Sequence, residues 1–297
     1  MADTTENVRP AWVDEDLFPF KSRFVDIDGN TVHYVDEGSG PTLLLLHGNP
    51  TWSFLWRDVI RGLRADFRCI ALDYPGFGLS TPKPGYRYLP AEHADVVTGF
   101  VDALGLTGVT LVGQDWGGPI GLATVQRRPG VFDRLVLANT WAWPLNGIFH
   151  FEWFSRIVGG LPIRFLAQRL NLLVNVFIPM GHGRRKPTLA EMTHYRRALD
   201  TPEGRQASAV LPGQITGSRD FFTEVEAGLA DLDHLPTLIV WGTADIGLRP
   251  QERERLEATF PEHETVIIEG GGAYVESDAP KEFIAAIRHW AATENHI

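Results

Sequence analysis

The sequence of 297 residues predicts an α/β fold, an eight-stranded and mostly parallel sheet flanked by helices, with a helical cap inserted late in the chain. Three observations carry this. Short runs that are apolar on both faces recur with helical patterns between them, as in parallel strands covered from both sides. A leading pair of alternating segments meets at Gly29-Asn30, a hairpin turn sequence. Close to a hundred residues between positions 138 and 237 then contain no buried-strand run.

Taken in order, residues 22–28 and 31–36 alternate in polarity and form the hairpin. Buried strands follow at 42–46, 67–72, 109–112 and 134–138, and two more at 237–241 and 265–269. Helical patterns interrupted by Gly and Pro occupy 151–158, 162–172, 189–198 and 221–226. The chain therefore divides into a core of residues 1–140 and 230–297 and a helical cap of 141–229. No internal repeat or low-complexity tract is present, and Arg184-Arg185-Lys186 reads as a solvated loop.

Composition narrows the function classes. With 44% hydrophobic residues and 22% charged residues the chain is an ordered globular protein. A net charge of -10, from 27 Lys+Arg against 37 Asp+Glu, supplies no general attraction for phosphate backbones or anionic lipid, so neither nucleic acid nor membrane is expected as a partner. A small uncharged ligand suits it better. The single cysteine, Cys69, excludes an internal disulfide framework and is read as a buried strand thiol in a reducing compartment. The first twenty residues are acidic and polar where a secretory signal is basic and then apolar, and no apolar run approaches the roughly 20 residues of a membrane span. A cytoplasmic location is expected. Neither metal-ligand spacing nor a dinucleotide fingerprint occurs, so no cofactor is expected. Ten histidines are available for proton chemistry.

The strongest local signal is Gly113-Gln114-Asp115-Trp116-Gly117 between a strand and a helical pattern. Small residues around a central nucleophile at a strand-to-helix turn form a nucleophile elbow, in which glycines permit a tight, strained backbone. The central residue here is an acid. A carboxylate is expected to be ionised at neutral pH and to attack an sp3 carbon without a base, giving displacement followed by an ester intermediate. The alternative role for Asp115 is a helix cap. His47-Gly48-Asn49-Pro50 faces the elbow across the strand ends, where open α/β sheets bind ligands. Its backbone N–H groups can supply half of an oxyanion hole, and Asn49 and Trp116 offer two further donors for a departing halide. His47 is assigned to loop structure. Asp245, after the late strand, is either a loop cap or an acid that orients a histidine.

The segments HGNPTWSFLWRDVI, DYPGFGLS, VGQDWGGPIGLA, LANTWAWP, WGTADIGLRP and GGAYVESDAP, in this order and spacing, resemble the haloalkane dehalogenases of the α/β-hydrolase superfamily, most closely their third subfamily. The resemblance spans nearly the whole chain outside the cap. It implies an α/β-hydrolase fold, Asp115 as nucleophile, Trp116 and Asn49 as the halide-stabilising pair, Asp245 as the triad acid, and a cap that roofs the pocket. It implies a small halogenated alkane as substrate and a halide ion as product.

One position departs from the family pattern G-H-[YF]-x-x-x-[DE]-x-P. In Gly272-Ala273-Tyr274-Val275-Glu276-Ser277-Asp278-Ala279-Pro280, Ala273 stands where the base histidine belongs, and alanine accepts no proton. None of His150, His182, His194, His263, His289 or His296 is an evident substitute. The expectation is a dehalogenase that alkylates itself once and stalls. Two alternatives stay open: an epoxide hydrolase, which needs two cap tyrosines where only Tyr195 is present, and a non-catalytic binding protein. The aromatics Phe149, Phe151, Trp153 and Phe154 serve either as pocket lining or as a surface for homo-oligomer formation.

Overall fold

A single sheet organises the chain, and the computed structural model describes residues 9–293 of it. The first eight residues and His296 lie outside these. The strands are β1 (Arg23–Ile27), β2 (Asn30–Glu37), β3 (Thr42–Leu46), β4 (Arg68–Leu72), β5 (Val109–Gln114), β6 (Phe132–Ala138), β7 (Thr237–Gly242) and β8 (His263–Ile268). Their spatial order is β1-β2-β4-β3-β5-β6-β7-β8; β2 runs antiparallel to β1 and β4, and the other neighbours pair in parallel. This is the α/β-hydrolase sheet. The reversal of strand order around β3 opens the sheet edge where a ligand crevice forms.

The helices are α1 (Arg57–Leu63), α2 (Pro90–Ala103), α3 (Gly117–Arg127), α4 (Phe149–Val158), α5 (Leu161–Leu170), α6 (Ile178–Met180), α7 (Leu189–Ala198), α8 (Gln206–Gly217), α9 (Arg219–Ala227), α10 (Pro250–Thr259), α11 (Val275–Asp278) and α12 (Pro280–Thr293). Alternation along each strand builds two cores. Leu44, Ile70, Leu111 and Leu135 point to one face, while Leu43, Leu45, Cys69 and Val112 point to the other. Both faces are covered, which is why these strands read as continuous apolar runs. Cys69 is buried, and desolvation pushes its thiol up to about 12.

Some boundaries shift from the sequence expectation. β5 continues through Gly113 and Gln114, because their backbones pair with Leu137 and Ala138 although their side chains carry no strand signal. His263 opens β8 instead of preceding it. α8 was not legible at all, since Pro212 lies inside it and proline breaks the periodic pattern by which helices are recognised.

The basic loop after α6 is exposed at Arg184 and Lys186, as expected, but it is also tied down by specific bonds. Asp278 accepts backbone N–H bonds from Gly183, Arg184 and Arg185 at 2.8–3.1 Å and from Gly272 at 2.9 Å. Arg185 reaches Glu191 at 2.8 and 3.0 Å and the Ser277 carbonyl at 2.9 Å, and Arg57 pairs with Glu191 Oε1, which also accepts from Arg185 Nη2. Lys186 Nζ donates to the carbonyls of Pro179 and His182. Asp278 and Ser277, far away in the chain, hold the backbone and the Arg185 side chain of this loop, which a local reading of three adjacent charges does not reveal. No single helix among the described residues is long and apolar enough to cross a membrane.

Candidate active site

At the C-terminal end of β5 the backbone turns sharply into α3. Asp115 sits at φ +50, in the left-handed region that L-residues rarely adopt. The turn is held by Asp115 N–H donating to Asn139 O (3.1 Å), Gly118 N–H donating to Asp115 O (3.0 Å) and Thr140 Oγ1 donating to Asp115 O (2.6 Å). Close approach dictates the glycines. A Cβ at Gly117 would lie 2.1 Å from the Leu46 carbonyl, and one at Gly48 would lie 2.4 Å from the Asp115 side chain.

Two backbone donors converge on the Asp115 carboxylate. Asn49 N–H donates to Oδ2 at 2.9 Å, and the Trp116 N–H also bonds the carboxylate. What surface the side chain retains faces an internal cavity of about 520 Å³. Apolar groups from the helical segment after β6, including Phe151, Phe154, Leu173 and Phe177, wall that cavity together with Trp141 and Tyr274. Burial therefore pushes Asp115 up to about 7, the two N–H bonds pull it back, and the nearby charge of Asp245 adds to the rise. Burial thus works against the ionised form that displacement needs, and the two backbone donors work for it.

The other predicted residues line the same cavity. Trp116 is 2% exposed and meets Trp141 edge-on, with ring centroids 5.1 Å apart. Asn49 is positioned from the opposite side. Its Nδ2 donates to the Ser208 carbonyl at 3.1 Å, while its Oδ1 is buried without a partner. That carbonyl is available because Pro212, four residues on in α8, has no N–H to give it. One N–H of the Asn49 amide is thus fixed by the helix, and the other remains uncommitted.

Asp245 follows β7. Its Oδ1 accepts from the N–H groups of Gly247 (2.8 Å) and Leu248 (3.2 Å), and its Oδ2 accepts from Asn139 Nδ2 (3.0 Å). Burial still outweighs these bonds and pushes it up to about 6. Ala273 lines the cavity with both acids, and its carbonyl accepts from Gln114 Nε2 at 2.8 Å. No histidine among the described residues hydrogen-bonds Asp115 or Asp245. His47 bonds the Gly48 carbonyl and the Tyr74 N–H, and burial lowers it to about 4. His182 has both ring nitrogens occupied, by Ile178 O and Ser277 Oγ, and His194 stacks on Phe54 while accepting from Asp14 N–H. His263 and His289 lie outside the cavity lining; His150 belongs to it, and its Nε2 has no partner.

Several contributors escaped the sequence reading. Asn139 and Gln114 act through hydrogen bonds to residues more than a hundred positions away, and only their place beside strand ends hinted at a role. Glu276 is fully buried, and neither carboxylate oxygen has a partner outside its own residue. Desolvation pushes it up to about 8. Tyr195, the one tyrosine between positions 141 and 229, is buried beside Arg57 and Glu191 and does not line the cavity.

Comparison with known proteins places these features in context. A family model described as alpha/beta hydrolase fold matches residues 41–280. Haloalkane dehalogenase 2 of Mycobacterium tuberculosis is 43% identical over 276 residues, covering 92% of this chain and 96% of that protein. A cis-3-alkyl-4-alkyloxetan-2-one decarboxylase of Shewanella oneidensis is 30% identical, covering 92% and 89%. Among solved structures, a putative ancestral haloalkane dehalogenase superimposes with a TM-score of 0.82 at 27% identity, covering 93% of this chain and 100% of that one. The haloalkane dehalogenase DbeA from Bradyrhizobium elkani does so with 0.83 at 25% identity, covering 92% and 98%.

Proposed function

The chain belongs to the α/β hydrolase fold family and, within it, to the haloalkane dehalogenases, and from that premise we propose that it carries out the first half of hydrolytic dehalogenation and is arrested before the second. The observation that carries this reading is the pairing of a complete elbow, Asp115 with its two backbone donors, with Ala273 where a base would stand.

In the first half, ionised Asp115 attacks the halogen-bearing carbon through Oδ1, the oxygen not held by Asn49 N–H. The carbon–halogen bond breaks, the halide leaves with the electron pair, and a carboxylate ester remains. The Trp116 indole N–H and the free N–H of the Asn49 amide receive the halide, in a cavity whose apolar wall weakens competition from water. Residues 141–229 act as the cap that supplies this wall. No proton moves in this step, so no base is needed.

In the second half, water must attack the ester carbonyl and lose a proton as it does so. Oδ2 becomes the oxyanion, which the Asn49 N–H already meets. The proton has no acceptor at position 273, and general-base catalysis typically contributes about 10²–10⁴-fold. Asp245, which would orient an imidazole, is left as a buried acid with a raised pKa. An epoxide hydrolase is less well supported. The one tyrosine lining the cavity, Tyr274, donates its hydroxyl to the Asn49 carbonyl at 3.4 Å, and Tyr195 points elsewhere.

A bromide-release time course with excess 1-bromobutane tests the proposal. The expected trace is a burst of one bromide per chain followed by almost no further release. Continued release at the burst rate contradicts arrest, and no release at all contradicts the alkylation step.

A further inference from the structure

The net charge of -10 conceals an uneven distribution. Residues 153–190 contain no Asp or Glu, and of their six Lys and Arg, Arg184, Arg185 and Lys186 are tied to Glu282, Glu191 and backbone carbonyls, which leaves Arg156, Arg164 and Arg169 beside the apolar face, Arg156 paired with Glu152. The same stretch has most of the exposed large apolar side chains among the described residues. On α5, Leu161, Phe165, Leu166 and Leu170 are exposed, at 81%, 56%, 42% and 58%, and Val176 and Met180 continue the surface beyond it. α5 and the segment Leu173–Met180 are bent 79° to each other around Asn171, so their combined apolar length bends across the surface and does not form one long rod.

Two further features adjoin this face. Trp153, Met180 and Ile246 line the cavity and are also exposed, which makes them the rim of its mouth. At the C-terminal end of α5, a second hollow of about 400 Å³ is lined by Arg169, Arg196, Arg197 and Arg205, with Asn171 and Thr193 as neutral polar groups and Asp200 as its one acid. Arg205 is occupied with backbone carbonyls and Arg196 with Asn175, while Arg169 lies over the Phe165 ring at 5.2 Å. Arg197 is exposed.

We propose that this face docks on an anionic phospholipid surface, with the arginine-lined hollow taking a phosphodiester headgroup and the apolar stripe of α5 lying among the acyl chains. Short helices with arginines beside exposed Leu and Phe are the chemistry of interfacial binding, in which apolar burial and attraction to acidic lipid act together. A second copy of the chain is a poorer occupant, because two copies meeting through this face would oppose like charge. The orientation sets the cavity mouth against the bilayer, where apolar small molecules concentrate, so substrate enters from the lipid side. This inference is independent of Ala273 and of the fate of the ester.

Co-sedimentation of the full chain with vesicles tests it. We expect at least about tenfold more protein to pellet with 3:1 phosphatidylcholine:phosphatidylglycerol vesicles than with pure phosphatidylcholine, and the difference to vanish at high salt. The double variant Leu161→Asp/Phe165→Asp and, separately, Arg169→Glu/Arg197→Glu should each abolish pelleting while melting as the parent does. Millimolar inorganic phosphate should not compete. Equal pelleting with neutral vesicles, no pelleting, displacement by phosphate, or a dimer in sedimentation velocity that Phe165→Asp dissociates would each overturn the proposal.

Discussion

Gln114 Nε2 donates to the carbonyl of Ala273 at 2.8 Å, so the residue before Asp115, the proposed nucleophile, pins the backbone at the position proposed for the missing base. The tether connects the end of β5 to the loop after β8 and fixes where a side chain at position 273 begins. It does not depend on what that side chain is. Ala273→His should therefore place an imidazole between Asp115 and Asp245 without rebuilding the site. Steady bromide release should appear, faster than the parent's residual release by about 10²–10⁴-fold. His150→Ala in the parent should leave the single burst unchanged, because His150 makes no hydrogen bond to either acid. A parent whose slow release disappears with His150 would show that the cap supplies a base.

Alkylation should depend on pH through the nucleophile. Asp115 must be ionised to attack, and burial holds it at about 7. The burst rate is expected to rise through neutrality and level off above it, with the rate at pH 5 about 100-fold below the plateau if one ionisation governs it. Asp245→Asn removes a neighbouring negative charge, so the midpoint should move to lower pH. Stopped-flow or quench measurement of the burst from pH 5 to 9 reads both effects; a flat profile contradicts the assignment of the nucleophile.

The contact between Asn49 and Ser208 makes a proline in α8 part of the proposed halide site. Pro212→Ala would give the Ser208 carbonyl an intrahelical donor and release the Asn49 amide. The burst rate should fall, more for chloride than for bromide or iodide, because the poorer leaving group relies more on the donors. Trp116→Phe deletes an N–H outright and should cost about 10²–10³-fold, the usual effect of removing one such donor. A Pro212→Ala protein with an unaltered burst for all three halides would separate Asn49 from leaving-group stabilisation.

Glu276 should govern alkaline stability. A carboxyl whose folded pKa is raised, here to about 8, binds its proton more tightly in the folded state. Stability is then full below the unfolded pKa and declines as pH rises towards the folded one. Glu276→Gln removes the decline. Thermal melts should show a small change at pH 5 and a gain of at least about 4 °C at pH 8, taking about 1.4 kcal/mol for each tenfold difference in proton affinity and about 2 °C per kcal/mol. Equal gains at both pH values would mean that the substitution acts through packing instead.

Much of this architecture was legible in the sequence because it rests on local pattern. The strand at 42–46 matched to the residue, since four consecutive leucines admit few alternatives, and the elbow was read from five residues whose glycines are required sterically. What stayed hidden depends on distant partners. Gln114 and Asn139 matter through bonds to Ala273, Gly242 and Asp245; α8 was hidden by the proline that frees the Ser208 carbonyl; and the anchoring of Arg185 was hidden because Ser277 and Asp278 lie far from it in the chain. Ionisation is hidden for a related reason. The residue type fixes the starting pKa of Asp115, but only the enclosing cavity wall determines how far burial moves it.

The most direct test of the central claim is intact-protein and peptide mass spectrometry after incubation with 1-bromobutane, for the parent and for Ala273→His. The parent should gain the mass of one butyl group per chain, located on the peptide containing Asp115 and stable over hours, whereas Ala273→His should show no lasting adduct while releasing bromide continuously. A parent that never acquires the adduct, or that carries it on a residue other than Asp115, would contradict the account.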